Sequence, residues 1–209
     1  MTEPSVSQSF LATIEKNASS LVSLGEPVLD NVLSKGYLRD IPLLGTLVSL
    51  GKIGDDIRGY YFVKKIWHFL KETKNISQED RDRYIAEMEL DEKKFDKACE
   101  QLLLIIEKLD AMEKAQIIGR LFKARVEKRI TEDQFLVASQ ITDRMMHGDL
   151  VLLQQYEKIP DQKRQHLLGL RLLDLDKLRV RTAVAGSSVR QMFSLSEYGK
   201  ILLAETKGL

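Results

Sequence analysis

The sequence predicts a mainly α-helical protein, a multi-helix bundle followed by a smaller module that contains a β-hairpin. Apolar residues recur at spacings of three and four along most of the chain, which is the period of an amphipathic helix. Residues that favour helix N-caps precede several of these stripes, as expected for short antiparallel helices joined by tight turns. Near the C-terminal end the period changes to two, which is typical of β-strands.

The uncharged stretch over residues 41–51 is the segment around which we expect the bundle to form. In a chain with 30% charged residues, a run of this length without charge requires a buried environment. Pro42 suits the first turn of a helix, where its missing N–H costs nothing. The apolar stripe continues at helical spacing to Leu70. We interpret residues 41–70 as a core helix or helical hairpin that the rest of the chain covers.

A membrane environment is the alternative for this segment. A bilayer span needs about 20 predominantly apolar residues, whereas Lys52, Asp55 and Arg58 interrupt this one early. A spanning helix is therefore not expected, but a helix lying in a membrane surface stays open because lysines flank aromatic residues here. The residues that would then contact a membrane or a protein partner are Tyr60, Phe62, Lys64, Lys65, Trp67 and Phe69.

Composition limits the function classes. The chain has 209 residues, 44% of them hydrophobic, which is enough for a sizeable core. Its net charge of +1 favours neither nucleic acid nor an anionic membrane as a partner, so either role needs a local patch. Cys99 is the single cysteine, which excludes an internal disulfide. Together with the lack of a basic-then-apolar leader in residues 1–20, this predicts a cytoplasmic protein.

The remaining helices are predicted from stripes and caps. One helix covers residues 10–22 and a second covers 27–34, both before the central segment, and a helix over 150–158 follows the bundle. The predicted N-caps between them are Ser77, Asp91, Asp110 and Thr131.

The last quarter of the chain differs in charge and in period. Residues 161–209 contain nine basic and five acidic side chains, a net charge of +4, which leaves −3 for the first 160 residues. Arginines alternate with apolar or neutral residues over 178–182, and a second run covers 189–193 after a Gly-Ser turn. These runs predict a β-hairpin. Ser194 or Ser196 then caps a last helix.

This ending resembles the end of a winged-helix domain. The matching pieces are a helix that runs into LLGLRLLD (residues 167–174), a basic hairpin, and FSLSEYGKILLAE (residues 193–205), which is similar to the family's strand followed by Leu-Ser/Thr-x-x-Gly-x-x-Leu-Leu. Where the family usually has glycine between the helix and the first wing strand, this chain has Arg171. The resemblance implies a winged-helix-like module over residues 149–209, after a helical bundle domain over 1–148. The residues on the family's positions are Leu195, Ser196, Gly199, Leu202 and Leu203.

The resemblance implies a binding function of one of two kinds. In winged-helix proteins that bind DNA, the helix before the hairpin enters the major groove and the wing meets the backbone or the minor groove. Other winged helices are protein-interaction modules, and charged residues alternate on many solvated hairpins. Carried over by position, the candidate nucleic-acid contacts are Lys163, Arg164, Gln165, His166, Arg179, Arg181 and Arg190.

No catalytic, metal or cofactor site is predicted. The histidines His68, His147 and His166 lack ligand partners at metal-site spacing, and there is no glycine-rich phosphate loop. We expect a non-enzymatic regulatory or interaction protein without cofactor or small-molecule substrate. It would bind a protein partner or form a homodimer, and duplex DNA is a further candidate partner. The alternatives are a membrane-surface effector that uses residues 41–70, or a structural subunit of a protein complex.

Overall fold

The structure, a computed structural model, is mainly helical. Its described residues form ten helices and one two-stranded antiparallel sheet near the C-terminal end. No helix in this part of the chain is both long and apolar enough to cross a membrane. The structure describes residues 4–16, 41–54, 56–175 and 193–208.

The chain divides into two compact units, Met1–Ser139 and Gln140–Leu209. The division falls between Ser139 and Gln140, within the helix Glu132–Arg144, whereas the sequence predicted a boundary at residue 148. The described helices of the first unit are α1 (Val6–Glu15), α2 (Pro42–Ser49), α3 (Ile57–Thr73), α4 (Gln78–Glu89), α5 (Glu92–Lys108), α6 (Met112–Val126) and α7 (Glu132–Arg144), the last of which extends into the second unit. The second unit continues with α8 (Asp149–Gln154), α9 (Asp161–Gly169), β1 (Leu173–Leu175), β2 (Phe193–Leu195) and α10 (Glu197–Glu205).

Three of the four predicted N-caps are confirmed. The Ser77 hydroxyl accepts from the backbone N–H of the third helical residue at 3.1 Å, and the Asp91 carboxylate does the same in α5, also at 3.1 Å. Thr131 and Gln134 form a reciprocal capping box before α7. These caps depend only on residues three apart, so the sequence suffices to predict them.

The fourth predicted cap is wrong. The N-cap of α6 is Ala111, which makes no side-chain cap bond. Asp110 instead pairs with Lys114 one turn into the helix, at 2.8 Å between Oδ1 and Nζ. The local ion pair therefore replaces the capping bond.

Residues 41–70, predicted as a core helix or a helical hairpin, belong to two helices, α2 and α3. Pro42 occupies the first turn of α2, as predicted. Gly51 follows the end of that helix with φ +67°, a left-handed conformation that glycine adopts without steric cost. Asp56 then begins α3 by accepting from the Gly59 N–H at 2.8 Å. The apolar spacing continues across this turn, which is why periodicity alone does not reveal the break.

The core of the first unit is built around Phe122 on α6. Helices α3 and α6 pack closely because Gly119 on α6 has no side chain. A methyl group at this position would lie only 2.5 Å from the Phe69 carbonyl oxygen on α3. Four rings surround Phe122, with centroid distances of 5.5 Å to Phe10, 5.3 Å to Phe69, 5.4 Å to Tyr84 and 5.8 Å to Phe135.

In the second unit, β1 and β2 pair antiparallel with Leu173 opposite Leu195 and Leu175 opposite Phe193. The predicted hairpin strands over 178–182 and 189–193 lie outside the described residues, apart from Phe193. The predicted helix over 27–34 lies outside them too, as does the first predicted helix beyond residue 16. The last helix is capped by Ser196, one of the two predicted caps, whose hydroxyl accepts from the Gly199 N–H at 3.0 Å.

Candidate functional site

Helix α9 carries four of the predicted nucleic-acid contacts, and they differ in environment. Pro160 occupies the N-cap position, so no side chain caps the first turn. Lys163 and Gln165 are exposed to solvent. Arg164 and His166 are only partly exposed and bond to neighbouring parts of the second unit. The four residues are therefore not equivalent as candidates for contact with a ligand.

Arg164 is held by four contacts. Its Nε donates to the Tyr156 carbonyl oxygen at 2.9 Å, its Nη2 donates to the Glu157 carbonyl oxygen at 3.2 Å, and its Nη1 pairs with Asp161 at 2.9 Å. The centre of the guanidinium lies 5.7 Å from the ring centroid of Phe193 in β2. Only 14% of the side chain is exposed. Arg164 thus joins the turn between α8 and α9 to the sheet.

His166 pairs with a buried carboxylate. Its Nε2 lies 3.0 and 2.9 Å from the two carboxylate oxygens of Asp149, the first residue of α8. One of these oxygens also accepts from the Met146 N–H at 2.7 Å. The pair connects the start of α8 to the middle of α9.

The turn between α9 and β1 depends on Arg171, the position where the resemblance expects glycine. Arg171 adopts a left-handed backbone conformation, φ +63°, which glycine would adopt without strain. Its carbonyl oxygen accepts from the Ser196 hydroxyl at 2.6 Å, and its guanidinium lies 5.1 Å from the Tyr198 ring centroid. A methyl group on Gly199 would lie 2.2 Å from the Leu172 carbonyl oxygen. This backbone contact explains the glycine in the family-like motif.

The other three predicted nucleic-acid contacts, Arg179, Arg181 and Arg190, lie outside the described residues. They belong to the segment 176–192, which connects β1 to β2 and contains four basic residues and one acidic residue.

The predicted membrane or partner contacts lie mostly inside the first unit. Phe62, Trp67 and Phe69 are buried in its core. Lys65 is buried too, and its ammonium donates to the carbonyl oxygens of Glu107 and Leu109 at the end of α5, the second at 3.0 Å. The predicted contacts that remain partly exposed are Tyr60 and Lys64, with the lysine Nζ 5.2 Å from the tyrosine ring centroid.

A different set of apolar side chains from this segment reaches the surface. Leu50 is 50% exposed, Ile57 is 76% exposed and Tyr61 is 52% exposed. Ile57 and Tyr61 are four residues apart on α3, so they share one face of the helix. They line a groove of about 600 Å³ whose walls also contain the exposed cations Lys52, Arg58 and Lys108, and the acidic residues Asp56 and Glu107.

An ion cluster around the buried Arg125 in the first unit was not predicted from the sequence. Arg125 donates to Glu87 at 2.6 Å and to Glu132 at 2.7 Å, and its guanidinium lies 5.6 Å from the Tyr84 ring centroid. Burial acts to lower the pKa of Arg125, but the two carboxylates outweigh it and raise that pKa. The pKa of Tyr84 is well above its ordinary value because the phenol is buried.

This cluster borders an open cleft of about 530 Å³ between α4, α5 and the turn before α7. Burial acts to raise the pKa of Glu87, but its bond to Arg125 lowers that pKa overall. The guanidinium and the two carboxylates of the cluster therefore offset one another's charge, and they connect α4, α6 and α7. Sequence reasoning missed Arg125 because one of its partners is 38 residues away, beyond any local pattern.

Within residues 4–16, 41–54, 56–175 and 193–208, no group of three or more His, Cys, Asp or Glu side chains could hold a metal ion. Burial raises the pKa of the Cys99 thiol to about 12, so it stays protonated and unreactive at neutral pH.

The chain matches no protein-family model, no curated protein and no solved structure.

Proposed function

We propose that residues 149–209 form a winged-helix-like module that contacts duplex DNA. The observation that carries the proposal is the order α9, β1, β2, α10, with β1 and β2 antiparallel and α9 packed next to β1. That order sets an exposed helix face beside the base of a two-stranded ribbon. In DNA-binding proteins of this kind the helix reads the major groove and the ribbon meets the backbone.

The charges of the module support a phosphate-binding role. Lys163 is exposed on α9, and the segment between β1 and β2 carries four basic residues against one acidic residue. Gln165 adds an exposed amide that could bond to a base edge. Asp161 pairs with Arg164, so its carboxylate is partly neutralised beside this surface.

The experiment is fluorescence anisotropy of a labelled DNA duplex titrated with the full chain at several salt concentrations. We expect affinity to fall steeply as salt rises, because counterions return to the phosphates. The variant K163E/R179E/R181E should bind at least about tenfold more weakly, with a log–log salt slope shallower by about 0.9 for each phosphate contact removed. Arg164 is left unchanged because its internal contacts would confound the result.

The matched control is K93E/K94E/K97E, which changes three exposed lysines of α5 in the first unit and shifts the net charge equally. Its affinity for DNA should stay close to that of the wild-type protein. Wild-type protein that does not bind the duplex would overturn the proposal. So would a control variant that weakens binding as much as K163E/R179E/R181E does.

A second proposal concerns the first unit, where Leu50, Ile57 and Tyr61 are half or more exposed. We propose that they contact an anionic membrane surface. Apolar and tyrosine side chains suit the interface, and Lys52 and Arg58 lie beside them to meet phosphate groups. Asp56 opposes this attraction only weakly, because its carboxylate caps α3 at the positive end of the helix dipole.

Co-sedimentation of the full chain with vesicles of equal parts phosphatidylcholine and phosphatidylglycerol tests this role. We expect binding, and we expect I57S/Y61S to reduce it about tenfold or more because two interfacial anchors are lost. The control is L90S, which changes an apolar side chain that is 87% exposed on another part of the first unit. If the wild-type protein stays in the supernatant, the membrane proposal is wrong. If I57S/Y61S abolishes a dimer in solution and leaves vesicle binding unchanged, the surface serves protein contact instead.

A further inference from the structure

We infer that Arg164 is a positioning residue of the second unit, and not one of its DNA contacts. This inference rests on the proposed DNA-binding function and refines it, because it reassigns one of the residues that the winged-helix resemblance places toward the groove. The alternative is that Arg164 leaves its internal contacts to meet a phosphate.

Arg164 donates to two backbone carbonyl groups and to one carboxylate. The carbonyl oxygens of Tyr156 and Glu157 follow the end of α8, where backbone acceptors have no partner within a helix. The planar guanidinium meets both and pairs with Asp161 through a third nitrogen. Removing it would leave the part-buried carbonyl of Tyr156 without this donor, whereas a solvated DNA contact could be removed without that effect.

Arg164 also contacts the sheet. The guanidinium lies 5.7 Å from the Phe193 ring centroid, within the range of a cation–π contact. Phe193 pairs with Leu175 at the end of the described ladder, where the chain enters the basic segment 176–192. One side chain therefore fixes the start of α9 relative to the strand that adjoins this segment.

Arg164 and its neighbour Lys163 differ in environment. Lys163 is exposed and no hydrogen bond or ion pair holds its ammonium within the described residues, so it is available to meet a phosphate. Arg164 has only 14% of its side chain exposed and uses all three guanidinium nitrogens internally. The two adjacent cations thus have different roles, which a charge count does not distinguish.

The test uses R164K, R164A and K163A in the full chain, with backbone hydrogen exchange as the first readout. Lysine keeps the charge but cannot meet three acceptors from one plane. We expect R164K and R164A to speed exchange in β2 and in the first turn of α9 by at least about tenfold, with much less change in α10. K163A should leave exchange unchanged. Equal acceleration throughout the second unit would indicate a general stability role and would overturn the inference, as would unchanged exchange in R164A.

The second readout is the salt dependence of duplex binding, measured by anisotropy. If Arg164 positions the module, R164K and R164A lower the affinity with little change in the log–log slope, whereas K163A lowers the slope by about 0.9. A phosphate contact would give the opposite pattern, in which R164K retains affinity and R164A loses slope. Absence of DNA binding by the wild-type protein would remove the proposed function, and the exchange readout would still decide the role of Arg164.

Discussion

The two compact units are stabilised by different kinds of contact. In the first, the rings of α1, α3, α4, α6 and α7 form one cluster around Phe122. Among the described residues, all ring–ring contacts lie in the first unit. In the second unit, the rings of Phe193 and Tyr198 instead face arginines. The second unit has fewer buried apolar side chains among its described residues, namely Ile141, Met145, Leu153, Ile159, Leu167, Leu172, Leu173 and Leu202.

The difference shows where each unit is sensitive to substitution. The first depends on the volume that many apolar side chains fill together. The second depends on individual positions, such as the Arg164 guanidinium and the backbone contact at Gly199. We therefore expect the largest single losses in the first unit to come from cavities, and those in the second to come from added atoms or lost hydrogen bonds.

The largest effect should follow from F122A, which removes the ring at the centre of the cluster. Deleting a fully buried aromatic side chain costs about 3–5 kcal/mol, through lost burial and the cavity that remains. The measurement is chemical denaturation followed by the fluorescence of Trp67, which is buried in the first unit. L90A is the control and should stay within about 0.5 kcal/mol of the wild-type protein. A loss below about 1 kcal/mol in F122A would mean that the cluster is not the centre of this core.

The apolar and capping patterns predicted much of the bundle because they depend on neighbours in sequence. Ser77, Asp91 and Thr131 begin helices where local rules place them. The position of the turn after α2 could not be predicted because the apolar spacing continues across Gly51. Asp110 was misassigned because a local rule could not decide between a cap and an ion pair with Lys114.

The candidate sites could be predicted less well, because exposure depends on contacts distant in sequence. Lys65 was a candidate contact under the membrane alternative, and it is buried with its ammonium bonded to the end of α5, more than 40 residues away in sequence. Arg164 and Lys163 are adjacent cations that no pattern separates, yet only Arg164 meets the carbonyl groups after α8. By contrast, Gly199 was identified by resemblance, and its role follows from the close approach of the Leu172 carbonyl.

A smaller effect, confined to the second unit, should follow from G199A. The added methyl group would lie 2.2 Å from the Leu172 carbonyl oxygen, so α10 must shift away from the strand β1. We expect a loss of about 1–3 kcal/mol, typical of overpacking, measured as faster hydrogen exchange in β1 and α10. G169A is the matched control, since a methyl group at Gly169 meets nothing within 4 Å and alanine favours the helix by up to about 1 kcal/mol. Unchanged exchange in G199A would show that the second unit tolerates an added methyl group at its closest backbone contact. The second unit would then not depend on individual positions in the way that distinguishes it from the first.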